Sequence, residues 1–350
     1  MSNRALWILS VVAAVLLAFS YVAAGNQPVM QIAFVSGRNL IPDIDTDRVH
    51  DIEIEGWGQQ TRLSRQGDHF VVASRNNYPA DAKAINDLVR ACLKVRCDDQ
   101  ITDNPERYAN LNVSWPSGRA HRVRYLDASG AVLVGLIVSD VITGKVQGNY
   151  VRLADSDTVY RTDNNIDISS DPLDYLDKRL LPVEIPDIAR IEINHEDHFV
   201  IEQDADGKRS LTGIPSDMQP MGLAYTNILA LAPRIEFEDF VPVRDKQDLD
   251  FSKTFQVDMR SKIRYLLRTA EQDGKYWVVA SAQYFGPSRP QISADSSIEE
   301  IRQATEYKQA FEDANAYNRR HSGRAYRVHK RFVIGLMAQS LAPLIEKKSK

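Results

Sequence analysis

The sequence predicts an α+β fold: an internally duplicated, mostly antiparallel sheet with one or two packed helices per copy, preceded by a single N-terminal transmembrane helix. Three observations predict it. Residues 5–24 contain no charged side chain, most of the remaining chain alternates apolar and polar residues, and several short segments recur about 140 residues later. Together they indicate one membrane segment followed by two related copies of a folded body.

The apolar segment at residues 5–24 is long enough to cross a bilayer core of about 30 Å as a helix. Arg4 precedes it and the next basic residue is Arg38, so the positive-inside rule places the N-terminus in the cytoplasm and the body outside. Ala24 fits the end of a signal-peptidase site, which leaves release of the body open. The length of the apolar run favours an uncleaved signal anchor.

Composition limits the classes of partner. The chain has 350 residues, more than one ordinary domain of about 100–200 residues, and its 43% hydrophobic content is ample for packed cores. The formal net charge of -4 describes a mildly acidic body. Because general nucleic-acid binding requires a basic face, we expect no nucleic-acid partner.

The duplication rests on recurring motifs. The tripeptide IEI at residues 52–54 returns at 191–193, and RYL at 124–126 returns at 264–266. Both pairs are separated by about 140 residues. A shared separation indicates two copies of one unit rather than chance recurrence.

Two helix candidates lie between these motifs in corresponding places. The first follows Pro79, a favourable first-turn residue, and its apolar side chains fall at helical spacing: Ile85, Leu88, Val89, Cys92 and Leu93. The second has the corresponding set Met221, Tyr225, Ile228, Leu229 and Ala232. We therefore expect one helix of this kind in each copy.

The other segments read as strands and hairpins. Residues 121–138 and 149–163 each predict a hairpin with a polar turn, and residues 255–284 predict a three-stranded meander. Strand-rich runs with one helix between them are typical of an α+β domain with a mostly antiparallel sheet.

Four parts follow along the chain: a signal anchor at 1–25, a linker at 26–46, a first copy at 47–181 and a second copy at 182–350. A helix is expected at 171–181, just before the boundary. Residues 293–320 are polar and helix-prone, which predicts a helical insertion on the surface of the second copy. A strand around 325–327 should mirror 159–161. A final amphipathic helix should bury Val333, Leu336, Met337, Leu341, Leu344 and Ile345.

The densest group of metal-ligand side chains is at residues 194–198, where His195 and His198 flank two carboxylates. Such a set suits a transition metal. The group lies at a predicted hairpin tip, however, so a solvated turn is the favoured interpretation and we expect no metal and no cofactor. Phosphate-loop and nucleophile-elbow motifs are also missing from the sequence. No catalytic residue can be named, and the sequence favours a protein that is not an enzyme.

Two further groups of residues are candidates for other roles. An oxidising compartment would permit a disulfide between Cys92 and Cys97, although two buried thiols are favoured because a continuous helix holds residues at this spacing too far apart. A basic run offers contact with an acidic partner or anionic lipid, against the simpler interpretation of a solvated face. Its members are Arg319, Arg320, Arg324, Arg327, Lys330 and Arg331.

A family resemblance adds to this interpretation. The segments that carry it are LIPDID, DHFVVAS, NYPADAKAINDLVRAC, TDNPERYANL, YVRLADSDTVY and DPLDYLDKRLL. Through them the chain resembles, over roughly residues 40–345, the bacterial family catalogued as domain of unknown function 4340. The resemblance implies an inner-membrane anchor and a periplasmic body. It also implies partners, because genes of this family often lie beside those for a gliding-motility-like ABC transporter permease and its auxiliary subunit. It supplies no catalytic residues.

We therefore expect a non-enzymatic, membrane-anchored extracytoplasmic interaction protein that acts with an ABC-type transporter complex. The alternative is a periplasmic enzyme or ligand-binding protein with its site between the two copies. That alternative predicts polar side chains with perturbed pKa values converging in a cleft there.

Overall fold

The computed structural model describes residues 38–41, 44–116, 119–142, 147–288, 292–293, 295–337 and 339–348. The predicted signal anchor at 1–25 lies outside the described residues, as does the part of the linker before residue 38. In the part of the chain that the structure describes, no helix has the length and apolar character needed to cross a membrane.

The first sheet has ten strands among the described residues. The strands are β1 (Arg38–Asn39), β2 (Asp51–Gly56), β3 (Gln59–Gln66), β4 (His69–Val72), β5 (Tyr78–Pro79), β6 (Arg96–Thr102), β7 (His121–Leu126), β8 (Val132–Val138), β9 (Tyr150–Leu153) and β10 (Val159–Thr162). Their order is β1-β6-β10-β9-β8-β7-β2-β3-β4-β5. Helix α1 (Ala82–Leu93) lies between β5 and β6 in the chain and buries Ile85, Leu88 and Cys92.

The remaining strands form an eight-stranded sheet and a separate pair. They are β11 (Ile188–Asn194), β12 (His198–Gln203), β13 (Arg209–Thr212), β14 (Met218–Pro220), β15 (Phe237–Pro242), β16 (Lys253–Met259), β17 (Ile263–Gln272), β18 (Lys275–Tyr284), β19 (Arg324–Val328) and β20 (Ile345–Lys347). The eight-stranded order is β13-β12-β11-β16-β17-β18-β19-β15, and β14 pairs with β20. The helices are α2 (Thr226–Leu231), α3 (Ile298–His321) and α4 (Lys330–Phe332).

Antiparallel pairing with a few helices confirms the predicted α+β class. The two large sheets also share one strand order. The series β4-β3-β2-β7-β8-β9-β10-β6 in the first corresponds, strand for strand, to β13-β12-β11-β16-β17-β18-β19-β15 in the second. Helices α1 and α2 fall at the same point of the two series. This is the topology that a duplicated chain gives.

Of the two recurring tripeptides, only IEI lies in equivalent strands of the two sheets. IEI lies in β2 and in β11, which are equivalent strands. All four isoleucines are fully buried, because alternate residues of a strand face one side. RYL, by contrast, lies in β7 and in β17, and the equivalent of β7 is β16. The loop before β7 is longer than that before β16, so the constant separation breaks down there and the RYL match was wrong.

By their internal contacts the residues form two compact units. The smaller comprises the described residues within Met1–Ile44, Arg90–Arg122 and Val134–Asp167. Its core includes Tyr108 and Val113, against which Arg152 is buried. The Arg152 guanidinium lies 4.5 Å from the centre of the Tyr108 ring, and its Nε donates to the Val113 carbonyl at 3.1 Å. Burial lowers the pKa of Arg152.

The larger unit comprises Asp45–Val89, Val123–Leu133 and the described residues within Ile168–Lys350. Its longest helix is α3, which begins in a capping box made by Ser297 and Glu300 and falls within the predicted insertion at 293–320. The helix packs on β18, where the Asn318 amide both donates to and accepts from the backbone of Ala282, each at 2.8 Å. One face of α3 is therefore fixed to the sheet.

The helix predicted at 171–181 is wrong. Asp171 caps only one 3-10 turn, Pro172–Tyr175, and the chain then runs extended. Backbone bridges explain the difference, since Leu176 pairs with Ala80 and Arg179 pairs with Glu236. These tertiary hydrogen bonds outweigh the local helix preference of a short segment.

The final amphipathic helix is also wrong as a continuous element. The chain passes through α4, a π turn at Val333–Met337, a 3-10 turn at Ala342–Leu344 and then β20. Gly335 and Pro343 weaken helix in this stretch, one by backbone entropy and the other by its missing N–H. Although the helix is not continuous, the side chains of Val333, Met337, Leu341 and Leu344 are buried as predicted.

We expect Gly148→Ala to destabilise the protein more than Gly130→Ala. Both glycines have positive φ, 118° and 84°, which costs an alanine about 1 kcal/mol. A Cβ at Gly148 would also clash with the Thr162 carbonyl oxygen, whereas nothing lies within 4 Å of one at Gly130. Urea unfolding should show a loss of about 3 kcal/mol or more for Gly148→Ala. Equal losses in the two variants would contradict this packing.

Candidate functional site

The segment 175–180, here called the junction segment, connects the edges of two sheets within the larger unit. On one side the Asp177 amide donates to the carbonyl of Pro79 at 3.1 Å, beside β5. On the other the Leu180 amide donates to the carbonyl of Ile235 at 2.9 Å, just before β15. The edge strands of the two sheets thereby gain backbone partners from one short stretch of chain.

Four rings pack beside the junction segment and form what we call the aromatic junction: Tyr78, Phe237, Phe240 and Tyr326. Tyr78 lies in β5 of the ten-stranded sheet, and the other three lie in β15 and β19 of the eight-stranded sheet. The Tyr78 and Phe240 ring centres lie 5.1 Å apart, and those of Phe237 and Tyr326 lie 4.9 Å apart. Tyr78 and Tyr326 are completely buried. Their rings therefore supply apolar area rather than a surface open to a ligand.

Arg320, near the end of α3, binds both the aromatic junction and the junction segment. Its Nη1 donates to Asp177 Oδ2 at 3.0 Å, its Nη2 to the Asp177 carbonyl at 2.6 Å and its Nε to the Tyr78 hydroxyl at 3.3 Å. The guanidinium also lies 5.1 Å from the centre of the Tyr78 ring. This planar fork is what distinguishes arginine from lysine at such a site.

Two further arginines enclose the aromatic junction. Arg324 lies 5.4 Å from the centre of the Tyr78 ring and 5.6 Å from that of Phe240, and it donates to the Arg320 carbonyl. Arg75 lies 5.1 Å from the Phe240 ring centre and pairs with Asp239. Cations over partly desolvated rings add electrostatic attraction to the packing.

A buried histidine completes the network. His321 is 2% exposed, and its Nδ1 lies 2.8 Å from the Tyr326 hydroxyl oxygen. Burial, reinforced by the nearby charges of Arg320 and Arg324, lowers the pKa of His321 to about 3. The imidazole is therefore neutral at physiological pH. Tyr317, one turn earlier on α3, donates to the Leu180 carbonyl at 2.7 Å.

The charge states of this network point to a structural role. Burial raises the pKa of both Tyr78 and Tyr326, so the phenols stay protonated. Burial also opposes ionisation of Asp177, but Arg320 and Arg179 outweigh it and lower the pKa of that carboxyl. Polar groups with perturbed pKa values thus converge where the edges of the two sheets meet. They are enclosed by packing, however, and none of these groups is poised for proton transfer near pH 7.

The six residues of the basic run have different surroundings. Arg320 and Arg324 belong to the network just described, and Arg327 donates to Glu238 Oε2 at 3.2 Å. Arg319, Lys330 and Arg331 are exposed. The sequence could not separate these groups because the partners Tyr78 and Asp177 are distant in the chain.

His195 and His198 lie at the turn between β11 and β12, as predicted. The His198 Nε2 lies 2.8 Å from Glu192 Oε1. His195 is mostly buried, and burial followed by the charge of Lys253 lowers its pKa. Nearby, Asp197 accepts from the Leu341 amide at 2.7 Å. Among the described residues no group of three or more His, Cys, Asp or Glu side chains is arranged to hold a metal ion.

Cys92 and Cys97 are both buried, on α1 and β6 respectively. The helix ends at Leu93, so the two residues belong to different elements. Cys97 faces Arg38 and Thr162 across the sheet.

We expect Arg320→Met to lower the free energy of unfolding by about 2 kcal/mol, because it removes one of the two guanidinium partners of the partly buried Asp177 carboxylate and leaves only Arg179. Arg319→Met is the matched control, since it changes the exposed neighbour on the same helix, and it should stay within about 0.5 kcal/mol of the wild type. Denaturant unfolding of both variants checks this. Indistinguishable losses would show that Arg320 stabilises nothing that an exposed arginine does not.

Acid should destabilise the protein through His321. The unfolded pKa is 6.5 and the folded pKa is about 3, so the unfolded state alone binds a proton in this range and stability falls as pH drops below 6.5. The contribution of this residue should rise from about 0.7 kcal/mol per pH unit at pH 6.5 toward about 1.4 kcal/mol per pH unit near pH 5. His321→Gln should reduce the slope by that amount. A slope that His321→Gln does not alter would contradict a neutral, buried imidazole.

Comparison with known proteins identifies a family. The model of the family described as Domain of unknown function (DUF4340) matches residues 71–254, just over half of the chain. Neither curated proteins nor solved structures give a match. The matched range includes the junction segment and most of the aromatic junction. The chain therefore belongs to the DUF4340 family.

Proposed function

We propose that this protein is a membrane-anchored extracytoplasmic accessory protein that binds partners in an ABC-type transporter complex and carries out no catalysis. The observation that carries the proposal is the closed junction. Arg320 binds Asp177 and Tyr78 at once, and Tyr78 has no exposed surface. A junction of this kind holds strand edges together and presents a preorganised surface, which lowers the cost of binding a partner.

The alternative, an enzyme or ligand binder with its site between the copies, is less well supported. Such a site needs concave, accessible surface where polar groups converge. Here the converging groups are packed against one another, and the pKa values of His321, Tyr78 and Tyr326 are moved away from neutrality by burial. They would have to be unpacked before they could meet a substrate.

In this proposal the anchor is the apolar segment at residues 5–24, with the N-terminus in the cytoplasm and both copies in the periplasm of a bacterial cell. The anchor confines the body to the plane of the membrane that holds the transporter. The family resemblance points to the permease and its auxiliary subunit as the partners. The exposed cations Arg319, Lys330 and Arg331 are then candidates for contact with an acidic partner surface or anionic lipid.

Affinity purification of the tagged full-length chain from gently solubilised membranes tests the partner. We expect mass spectrometry to find ABC transporter subunits in stoichiometric amounts. Replacing Arg319, Lys330 and Arg331 together by alanine should reduce that recovery. A control triple variant at the exposed residues Lys208, Arg244 and Lys275 makes the same charge change and should not. A chain recovered without transporter subunits would contradict the proposal.

The anchor is tested separately. Replacing residues 1–24 by a signal peptide that is known to be cleaved should release the body into the periplasm and abolish recovery of the transporter subunits. The expected loss follows because tethering raises the effective concentration of the body at the membrane. Undiminished recovery with the released body would show that the anchor is dispensable for binding.

A further inference from the structure

A second region of the larger unit has the form of a binding site. Two cavities of about 460 Å³ and 600 Å³ lie beside α3 and the end of β18, and Tyr284 and Tyr307 line both. These volumes are within the range of about 300–1,000 Å³ that is usual for small-molecule sites. The region shares no residue with the aromatic junction.

The rings of this region are held in fixed positions. The Tyr284 and Tyr307 ring centres lie 4.9 Å apart with the rings edge to face, and Phe311 stacks nearly parallel to Tyr307 at 5.8 Å. The Tyr284 hydroxyl donates to the Pro287 carbonyl at 3.1 Å. A Cβ at Gly286 would clash with that hydroxyl oxygen, so an alanine at this position would displace the Tyr284 ring.

The smaller cavity has a neutral lining. Among the described residues that form it there is no Asp, Glu, Lys or Arg side chain. Amides and a hydroxyl instead accompany the rings, from Gln283, Asn315 and Ser288. The larger cavity differs, because Lys262, Glu306 and Asp313 are among its lining residues.

Phe311 is 46% exposed at the wall of the smaller cavity. Its neighbours on the inner face of α3, Ala310 and Ala314, are buried against the sheet. Packing of the helix therefore does not require a large aromatic side chain at this position. The exposed ring is available to a ligand.

We propose that the smaller cavity binds a neutral oligosaccharide. The apolar face of a sugar ring, formed by its C–H groups, packs on aromatic rings such as Phe311 and Tyr307. The hydroxyls of a sugar are both hydrogen-bond donors and acceptors. The side-chain amides and the hydroxyl in this cavity can accept from them and donate to them. A phosphate or carboxylate ligand would instead call for cationic partners, and the described residues of this lining include none. The assignment does not depend on the transporter proposal.

Calorimetric titration of the full-length protein tests the assignment. The detergent should be a polyoxyethylene ether, because a sugar-based detergent would compete for the site. The probes are tetra-N-acetylchitotetraose and maltotetraose. We expect at least one to bind with a Kd of about 1 mM or lower. Phe311→Ala should weaken binding about tenfold, since ring stacking is lost.

Gln309→Ala is the matched control, because residue 309 is exposed on the same helix but lines only the larger cavity. It should bind like the wild type. Gly286→Ala should also weaken binding, since the Tyr284 ring must move. The proposal is overturned if neither tetrasaccharide binds at about 5 mM. It is equally overturned if Phe311→Ala binds like the wild type, or if Gln309→Ala alone loses binding.

Discussion

The contact of Arg320 with Asp177 and Tyr78 is the interaction on which the rest of the larger unit depends. It joins α3, the junction segment and β5 through one guanidinium. The partly buried Asp177 carboxylate and the buried Tyr78 hydroxyl both accept hydrogen bonds from this guanidinium. A partly buried carboxylate is costly without a cation beside it, and a buried hydroxyl is costly without a hydrogen-bond partner. Removing the arginine would leave the Asp177 carboxylate with Arg179 alone and would take away the hydrogen bond that Arg320 donates to the Tyr78 hydroxyl.

The same contact relates the fold to the proposed function. Exposed sheet edges invite pairing with other chains, and here the junction segment gives the edges at β5 and β15 backbone partners from within the protein. The two sheets then have no open edge at that point.

The neutral cavity beside Phe311 lies on α3, the helix whose C-terminal turn carries Arg320. One helix therefore serves the junction at its end and a separate site nearer its middle.

Local pattern was sufficient for much of the fold. The isoleucines of β2 and β11 are buried as alternation requires, and α1 and α3 form where helical spacing and composition indicate. Local sequence pattern gave wrong predictions where tertiary contacts determine the structure. Residues 171–181 look helical, but two strand edges offer them backbone hydrogen bonds. Arg320 looked like one member of a basic run, because its partners Tyr78 and Asp177 are remote in sequence. No pattern in the sequence analysis indicated the aromatic junction, because only Phe237 and Phe240 of its four rings are close together in the chain.

Native-state hydrogen exchange across the junction tests the central claim most directly. The amides of Asp177 and Leu180 bond to opposite edges, at Pro79 and Ile235. If Arg320 holds both edges through one network, the two amides should exchange through a common opening with equal free energies, and Arg320→Met should lower both together. Opening energies that differ by more than about 1 kcal/mol, or a variant that lowers only one, would show that the two edges open independently and would contradict the account.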